Sequence, residues 1–313
     1  MVFKREPQVF NARVNTLTVG YGGKEIAFGG EKVLPFYTFD APIENRPKIG
    51  VAINDSGYYR GAPGVEAFYA GAATAVDAAK KAAAMPGADF LVISLDGAHP
   101  DSGDKSPEEC AALVKEIADA VDIPIAVEGC KSIEKDTKIF EKVAEALQGK
   151  NVLILSAREE NYKTIAAAAG LAYSQKLGAE SAVDINLAKQ LNVLIGQMGV
   201  PAGNMAMNLG SAAAGYGFEY VASTIDRVKS TALAQNDKML QMPVVTPVYA
   251  DAWSVKESVV SEDDFPEWGP CEARGVHMEI ATAAACLAAG SNAVILLHPD
   301  SVKTVSELID ALM

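Results

Sequence analysis

Ten polar side chains stand at or just beyond the ends of short apolar runs: Asn54, Asp55, Asp96, His99, Glu128, Arg158, Asp184, Asn186, Asn208 and Tyr249. Asp96, Glu128 and Asp184 are carboxylates. On one rim they could share a proton, hold a metal or meet a cationic group, and each could equally cap a loop or a helix. Of the three histidines, only His99 and His298 follow apolar runs, while His277 falls inside a helical stretch. A three-histidine metal centre is therefore not expected. Lys48 precedes its run and Lys131 lies just past another, so Schiff-base chemistry has weak support. The last two runs end in Tyr249 and His298-Pro299 rather than Gly-rich phosphate turns, and no nucleotide fingerprint occurs. What remains is amides and hydroxyls: Asn54, Ser94, Ser156, Asn186, Asn208, Ser211 and Thr246. Such groups read a polar, uncharged ligand by hydrogen bonding. Aromatics gather in the adjoining loops (Tyr58, Tyr59, Tyr216, Phe218, Trp253, Phe265, Trp268), which suits a broad flat ligand or a protein partner. No residue is assigned as catalytic and none as a metal ligand.

These residues need a scaffold, and the runs supply one. Eight recur: IGVAIND, FLVISLDGAH, IPIAVEGC, VLILSAR, AVDIN, MAMNLG, VVTPVY and AVILLHP. They predict strands at 48–54, 89–95, 124–128, 152–155, 181–185, 204–208, 243–247 and 292–297. Helix-like stretches fall between them, among them 69–85, 134–147, 161–177, 186–196 and 271–289, with 301–312 closing the chain. Ser106-Pro107-Glu-Glu reads as a helix start. The rhythm is that of an α/β protein, a (β/α)₈ TIM barrel, whose working residues sit at the carboxyl ends of the strands. Residues 1–45 break the rhythm. Alternating runs at 13–19 and 25–28 flank Tyr21-Gly-Gly-Lys, predicting a β-hairpin. The expected division is 1–45 as hairpin and lead-in, packed under the barrel floor, and 46–313 as the barrel. The connection 249–275 is the longest, and a loop of that length is usually functional or mobile.

Composition narrows the partners. The chain has 313 residues, half of them hydrophobic, and a net charge of −13. That charge disfavours nucleic acid and anionic membrane as general partners. No apolar stretch approaches the roughly 20 residues that span a bilayer, and the first fifteen residues lack an apolar leader, so a cytoplasmic protein is expected. The four cysteines form no CxxC pair, arguing against a zinc or iron–sulfur site held by this chain alone.

The ordered segments GGEKVLPFYTFDAPIENRPKIGVAIND, ISLDGAHPD, PIAVEGC, LSAREENY, VDINLAKQLN, MNLGSAAAGYGFEY and DAWSVKE cover nearly the whole chain. Together they resemble the small (delta-type) subunit of the corrinoid/iron–sulfur protein of the acetyl-CoA synthase/CO dehydrogenase system. The resemblance implies a TIM barrel related to pterin-dependent methyltransferases. It implies a heterodimer with a large subunit that holds a corrinoid (cobalamin) and a [4Fe-4S] cluster. It also implies transient contact with a methyltetrahydrofolate methyltransferase and with acetyl-CoA synthase in the Wood–Ljungdahl pathway. The barrel would cap the corrinoid, with Asn54, Asp96, His99, Asn186, Asn208 and Trp253 as the residues expected to face it. Asp96-Gly-Ala-His99 only approaches the DxH spacing of cobalt-ligating domains, so this chain is not expected to ligate cobalt. The alternative is a pterin-dependent methyltransferase acting on its own, with Asp96, Asp184 and Asn208 on the pterin ring.

Overall fold

In a computed structural model, residue 4 and residues 6–313 are described; residues 1–3 and 5, within the expected 1–45 extension, lie outside the described residues. An antiparallel hairpin comes first, β1 (Leu17–Val19) and β2 (Ile26–Phe28). Eight parallel strands follow: β3 (Lys48–Asn54), β4 (Phe90–Ser94), β5 (Ile125–Glu128), β6 (Leu153–Ala157), β7 (Lys176–Glu180), β8 (Met205–Asn208), β9 (Val245–Thr246) and β10 (Ala293–Leu296). They pair in chain order, and β10 returns to β3. Between β8 and β9 the ring closes through one bridge, Met207 to Val244, with the Met207 N–H donating to the Pro243 carbonyl at 2.7 Å. The result is a TIM barrel with an N-terminal hairpin, as the rhythm predicted.

The helices are α1 (Pro63–Phe68), α2 (Ala75–Ala83), α3 (Pro107–Ala120), α4 (Ile133–Ala146), α5 (Tyr162–Ile165), α6 (Ile185–Gln197), α7 (Phe218–Ala234), α8 (Val248–Ala252), α9 (Lys256–Val259), α10 (Cys271–Ala289) and α11 (Pro299–Leu312). Local chemistry starts several of them. Ser106 and Glu109 form a capping box on α3, with Pro107 in the first turn, and Thr74 and Asp77 do the same for α2. Among the described residues, no helix is long and apolar enough to cross a membrane.

Period-two alternation sorts each strand into two layers. Ile49, Val51, Ile53, Leu91, Ile93, Val127, Ile154 and Met207 join the cluster under the helices. Ala52, Val92, Ala126, Leu153, Leu155, Ala206, Val245 and Ile295 fill the barrel interior. Two residues beyond the interior positions Ala52, Val92, Ala126, Gly178 and Ala206 stand Asn54, Ser94, Glu128, Glu180 and Asn208. The polar rim is thus the top layer of the same alternation that fills the core.

The hairpin closes the floor. Leu17, Val19 and Phe28 are fully buried in the interior cluster, and Phe28 packs edge-on against Phe90, ring centroids 5.6 Å apart. Gly50 makes room for Phe90, since a Cβ there would lie 2.6 Å from its ring. Gly50→Ala is expected to cost about 1–3 kcal/mol through overpacking, read as a lowered denaturant midpoint with unchanged m-value. Behind the hairpin, Lys229 is 1% exposed and donates to Glu31 Oε1 at 2.7 Å and to Asn292 Oδ1 at 2.6 Å.

One strand lies elsewhere than its sequence signal placed it. The fifth barrel strand is β7, Lys176–Glu180, rather than 181–185. Ala182 and Val183 have φ of 45° and 65°, and two successive left-handed residues cannot continue a strand. Asp184 therefore ends no strand; its Oδ1 accepts from the N–H groups of Asn186 (2.7 Å) and Leu187 (3.1 Å) and caps α6. The helix expected over 161–177 stops at Ala172 after a stretch of π-helix, and Ser174, at φ 55°, turns the chain into β7. The helix expected over 69–85 is shortened to α2, and α1 forms between it and the first barrel strand.

Candidate functional site

Two cavities open side by side at the carboxyl ends of the strands. The smaller, of about 330 Å³, is lined by Glu128, Lys131, Ser156, Arg158, Glu180, Asn208, Ser211, Tyr249 and Asp251 among others. The larger, of about 740 Å³, lies between the β3–α1 loop and the long connection after β9, with Tyr59, Arg60, Trp253, Val259, Cys271, Glu272 and Leu297 on its walls. Tyr249 and Ala250 border both.

Glu128 ends β5 and points into the smaller cavity. The Tyr249 hydroxyl donates to its Oε2 at 2.6 Å. The Glu128 side chain is half-buried and faces the cavity. Burial pushes its pKa up to about 7, against the Tyr249 hydrogen bond and Lys131, which favour the charged form. Burial likewise raises Tyr249 well above the usual phenol range, with the Glu128 charge adding to the effect. Asn208, 5% exposed, donates to Ser156 Oγ at 3.0 Å and accepts from the Gly210 N–H at 3.0 Å. Arg158 and Glu180 pair at 2.8 Å.

The folded pKa of Glu128 exceeds the ordinary 4.5, so below 4.5 the fold carries no penalty from this group. As pH rises toward 7 the unfolded chain releases the proton and the folded chain retains it, so stability falls. The loss is on the order of 3 kcal/mol. Glu128→Gln should flatten the stability profile between pH 4.5 and 7, as measured by denaturant melts across that range.

Elsewhere on the rim, Asp96 sits in the turn after β4 and accepts from Tyr59 (2.8 Å) and Ser94 (2.7 Å). Trp253 stacks on buried His298, centroids 5.8 Å apart, and its ring would meet any Cβ at Gly275 at 2.3 Å. His298 Nδ1 accepts from the Asp300 N–H and its Nε2 lies 3.1 Å from Glu272. Beneath it, buried Glu279 accepts from the N–H groups of Leu297 and His298. The connection after β9 is braced: Phe265 stacks on Trp268 at 4.3 Å, Lys256 lies over Phe265, and Arg274 donates to the Val260 carbonyl at 2.6 Å.

Of the residues singled out from sequence, Asn208 and Trp253 line the cavities and Asp96 joins the hydrogen-bonded rim. The other three lie apart. Asn54 accepts from Ser56 within its own turn, His99 accepts from the Asp101 N–H, and Asn186 is exposed on the first turn of α6. Asp55 is tied to Lys105 (2.9 Å) and to the Gly97 N–H. Tyr59 and Glu180 carry more of the site than the sequence suggested; Glu180 was hidden by the displaced fifth strand. Burial raises the thiols of Cys110, Cys130 and Cys286 to about 11, 12 and 12, which keeps them protonated and inert at neutral pH. Among the described residues, no three His, Cys, Asp or Glu side chains are grouped to hold a metal ion.

Similarity to known proteins agrees with this architecture. Dihydropteroate synthases from Xanthomonas albilineans, solved with 4-aminobenzoic acid (TM-score 0.54, 13% identity, 95% of this chain and 98% of that one), and Coxiella burnetii, solved with pteroic acid (TM-score 0.55, 12% identity, 86% and 94%), share the fold. The acetyl-CoA decarbonylase/synthase complex subunit delta 1 of Methanosarcina thermophila is 33% identical over 300 residues, covering 94% of this chain and 67% of that protein. The delta subunit of Methanothermobacter thermautotrophicus is 33% identical over 289 residues, 91% of this chain and 72% of that protein. A family model described as the CO dehydrogenase/acetyl-CoA synthase delta subunit matches residues 16–298. The chain therefore belongs to the CO dehydrogenase/acetyl-CoA synthase delta subunit family.

Proposed function

We propose that this chain is the barrel subunit of a two-subunit corrinoid/iron–sulfur methyl carrier and caps the corrinoid held by its large partner. The corrinoid, when bound there, supplies the cobalt that carries a methyl group from a methyltetrahydrofolate methyltransferase to acetyl-CoA synthase. The [4Fe-4S] cluster belongs to the partner. A cytoplasmic complex is the setting this reading implies.

The observation that carries the reading is the make-up of the mouth. Two adjoining cavities of about 330 and 740 Å³ are walled by phenols, an indole, an amide and the carboxyl groups of Glu128, Asp136, Glu180, Asp251, Glu262 and Glu272; among the described residues the cationic wall residues are Lys131, Arg158 and Arg60. That donor set fits the uncharged, amide-fringed edge of a corrin. Trp253, Tyr59 and Tyr249 offer flat apolar surface with polar tips, the chemistry that excludes water while still hydrogen bonding. Among this chain's residues Asn208, Trp253 and Asp96 remain the candidates to face the corrin; Asn54, His99 and Asn186 line neither cavity.

The test is direct. The chain mixed with a corrinoid-bearing large subunit should co-elute with it at equal stoichiometry and perturb the corrinoid absorption spectrum. A chain that stays separate and leaves the spectrum unchanged sinks the reading. Calorimetric binding of methyltetrahydrofolate by the chain alone, with methyl transfer lacking any other methyltransferase, would favour the stand-alone enzyme instead.

A further inference from the structure

Four side chains cross the mouth in one line. The Tyr249 hydroxyl lies 2.6 Å from Glu128 Oε2 and 3.4 Å from the Tyr59 hydroxyl, which lies 2.8 Å from Asp96 Oδ2. Each phenol has a single proton. With both carboxyls ionised, each phenol donates to its own carboxylate and no hydrogen fills the gap between the two hydroxyls. With Glu128 protonated, every gap is filled. Glu128 donates to Tyr249, Tyr249 to Tyr59, and Tyr59 to Asp96, whose other oxygen accepts from Ser94 at 2.7 Å. The protonated line runs one way, from Glu128 in the smaller cavity past Tyr59 in the larger to Asp96, and is cooperative.

We infer that Glu128 holds one exchangeable proton, fixed by hydrogen bonds that run through the two tyrosines to the Asp96 carboxylate, and that this protonated line is the form of the mouth that accepts an uncharged partner surface. The first half concerns the free chain. The second rests on the capping role proposed above. Covering the mouth strips water from Glu128, which disfavours its charged form, so binding and protonation reinforce each other.

The charges around Glu128 leave the line intact. Lys131 follows β5 and favours the ionised form, whereas Asp96 and Glu180 oppose it. Glu180 is neutralised by Arg158, which follows β6, and Asp136 of α4 is held by the N–H groups of Cys130 (2.6 Å) and Lys131 (3.1 Å). Asp251 of α8 lines the same cavity. Among the described residues, neither Glu128 nor Asp96 has a cation in ion-pair contact, so a proton on Glu128 is the available compensation.

Infrared spectra of the chain carrying ¹³C-labelled glutamate, compared with Glu128→Gln, isolate the Glu128 band and its titration. The expected midpoint is near neutral, and Tyr59→Phe should lower it by roughly half to one pH unit. Tyr59 does not touch Glu128, so a carboxyl raised by burial alone would not respond. An ordinary carboxylate midpoint, or one indifferent to Tyr59→Phe, overturns the protonated line. Calorimetry with the corrinoid-bearing large subunit at pH 8, in buffers of different ionisation heat, should then show nearly one proton taken up per complex, and none with Glu128→Gln. Complex formation without proton uptake overturns the second half. If no complex forms, the capping role fails, while the titration of the free chain still decides the first half.

Discussion

A Lys229→Met variant will lose about 3–5 kcal/mol of stability, seen as a large drop in denaturant midpoint. Lys229 rises from α7 into the floor, where it meets Glu31 of the lead-in and Asn292, which precedes β10. Asn292 donates to Glu31 Oε1 at 2.9 Å and accepts from the Val244 N–H at 3.0 Å, so one cluster joins four segments. Removing the ammonium strands a carboxylate that is 7% exposed. Burial alone would raise the Glu31 carboxyl, but the Lys229 charge and the Asn292 amide outweigh it and hold it below its usual range. Its contribution is present above pH 4.5 and disappears as the pH falls through the lower folded value. The variant reverses this dependence: its uncompensated carboxyl favours protonation, so acid narrows the gap to the parent. Replacing Glu31 by leucine in the Lys229→Met background should restore part of the loss, because two apolar side chains leave no buried charge.

Phe28→Ala is the second large effect, about 3–5 kcal/mol by the usual cost of emptying a buried aromatic site. The ring is 1% exposed and closes the interior against Phe90. The interior cannot collapse around the void, because Gly50 and Gly178 already bring the barrel wall to its closest approach: a Cβ at Gly178 would lie 2.4 Å from Leu155. Gain of dye binding by the native state, together with the lost stability, would mark the opened floor. A loss below about 1 kcal/mol would mean that the hairpin contributes little to the core.

Much of this was legible in the chain. Strands of uninterrupted Ile, Val and Leu between capped helices specify parallel staves buried on both faces. Glu128 and Asn208 followed from that pattern because each ends a strand in phase, and Tyr249 because it follows β9 in the first turn of α8. The fifth strand did not. Lys176-Leu-Gly-Ala-Glu180 has charged ends and a glycine at its centre, whereas Ser181-Ala-Val-Asp-Ile looks more β-like by composition. The decision was made by packing: Gly178 is where Leu155 needs space, and Leu177 and Ala179 fill the layer beneath the helices. Tyr59 was hidden for another reason. It lies in a Gly-rich loop whose phase no periodicity sets, and only the fold brings it to Asp96. His99 and Asn54 satisfied local turns instead, a competition that short polar side chains win within two or three residues.

The join between β8 and β9 has a mechanical consequence. Elsewhere neighbouring staves share two to five paired residues; here there is one. A hoop parts at its thinnest weld, and Asn208 and Tyr249 stand on either side of it. Amide hydrogens along this seam should exchange with solvent sooner than those of β3 and β4. The barrel can therefore flex its mouth at one stave junction while the plugged end stays shut, a jaw hinged from below by Asn292 and Lys229.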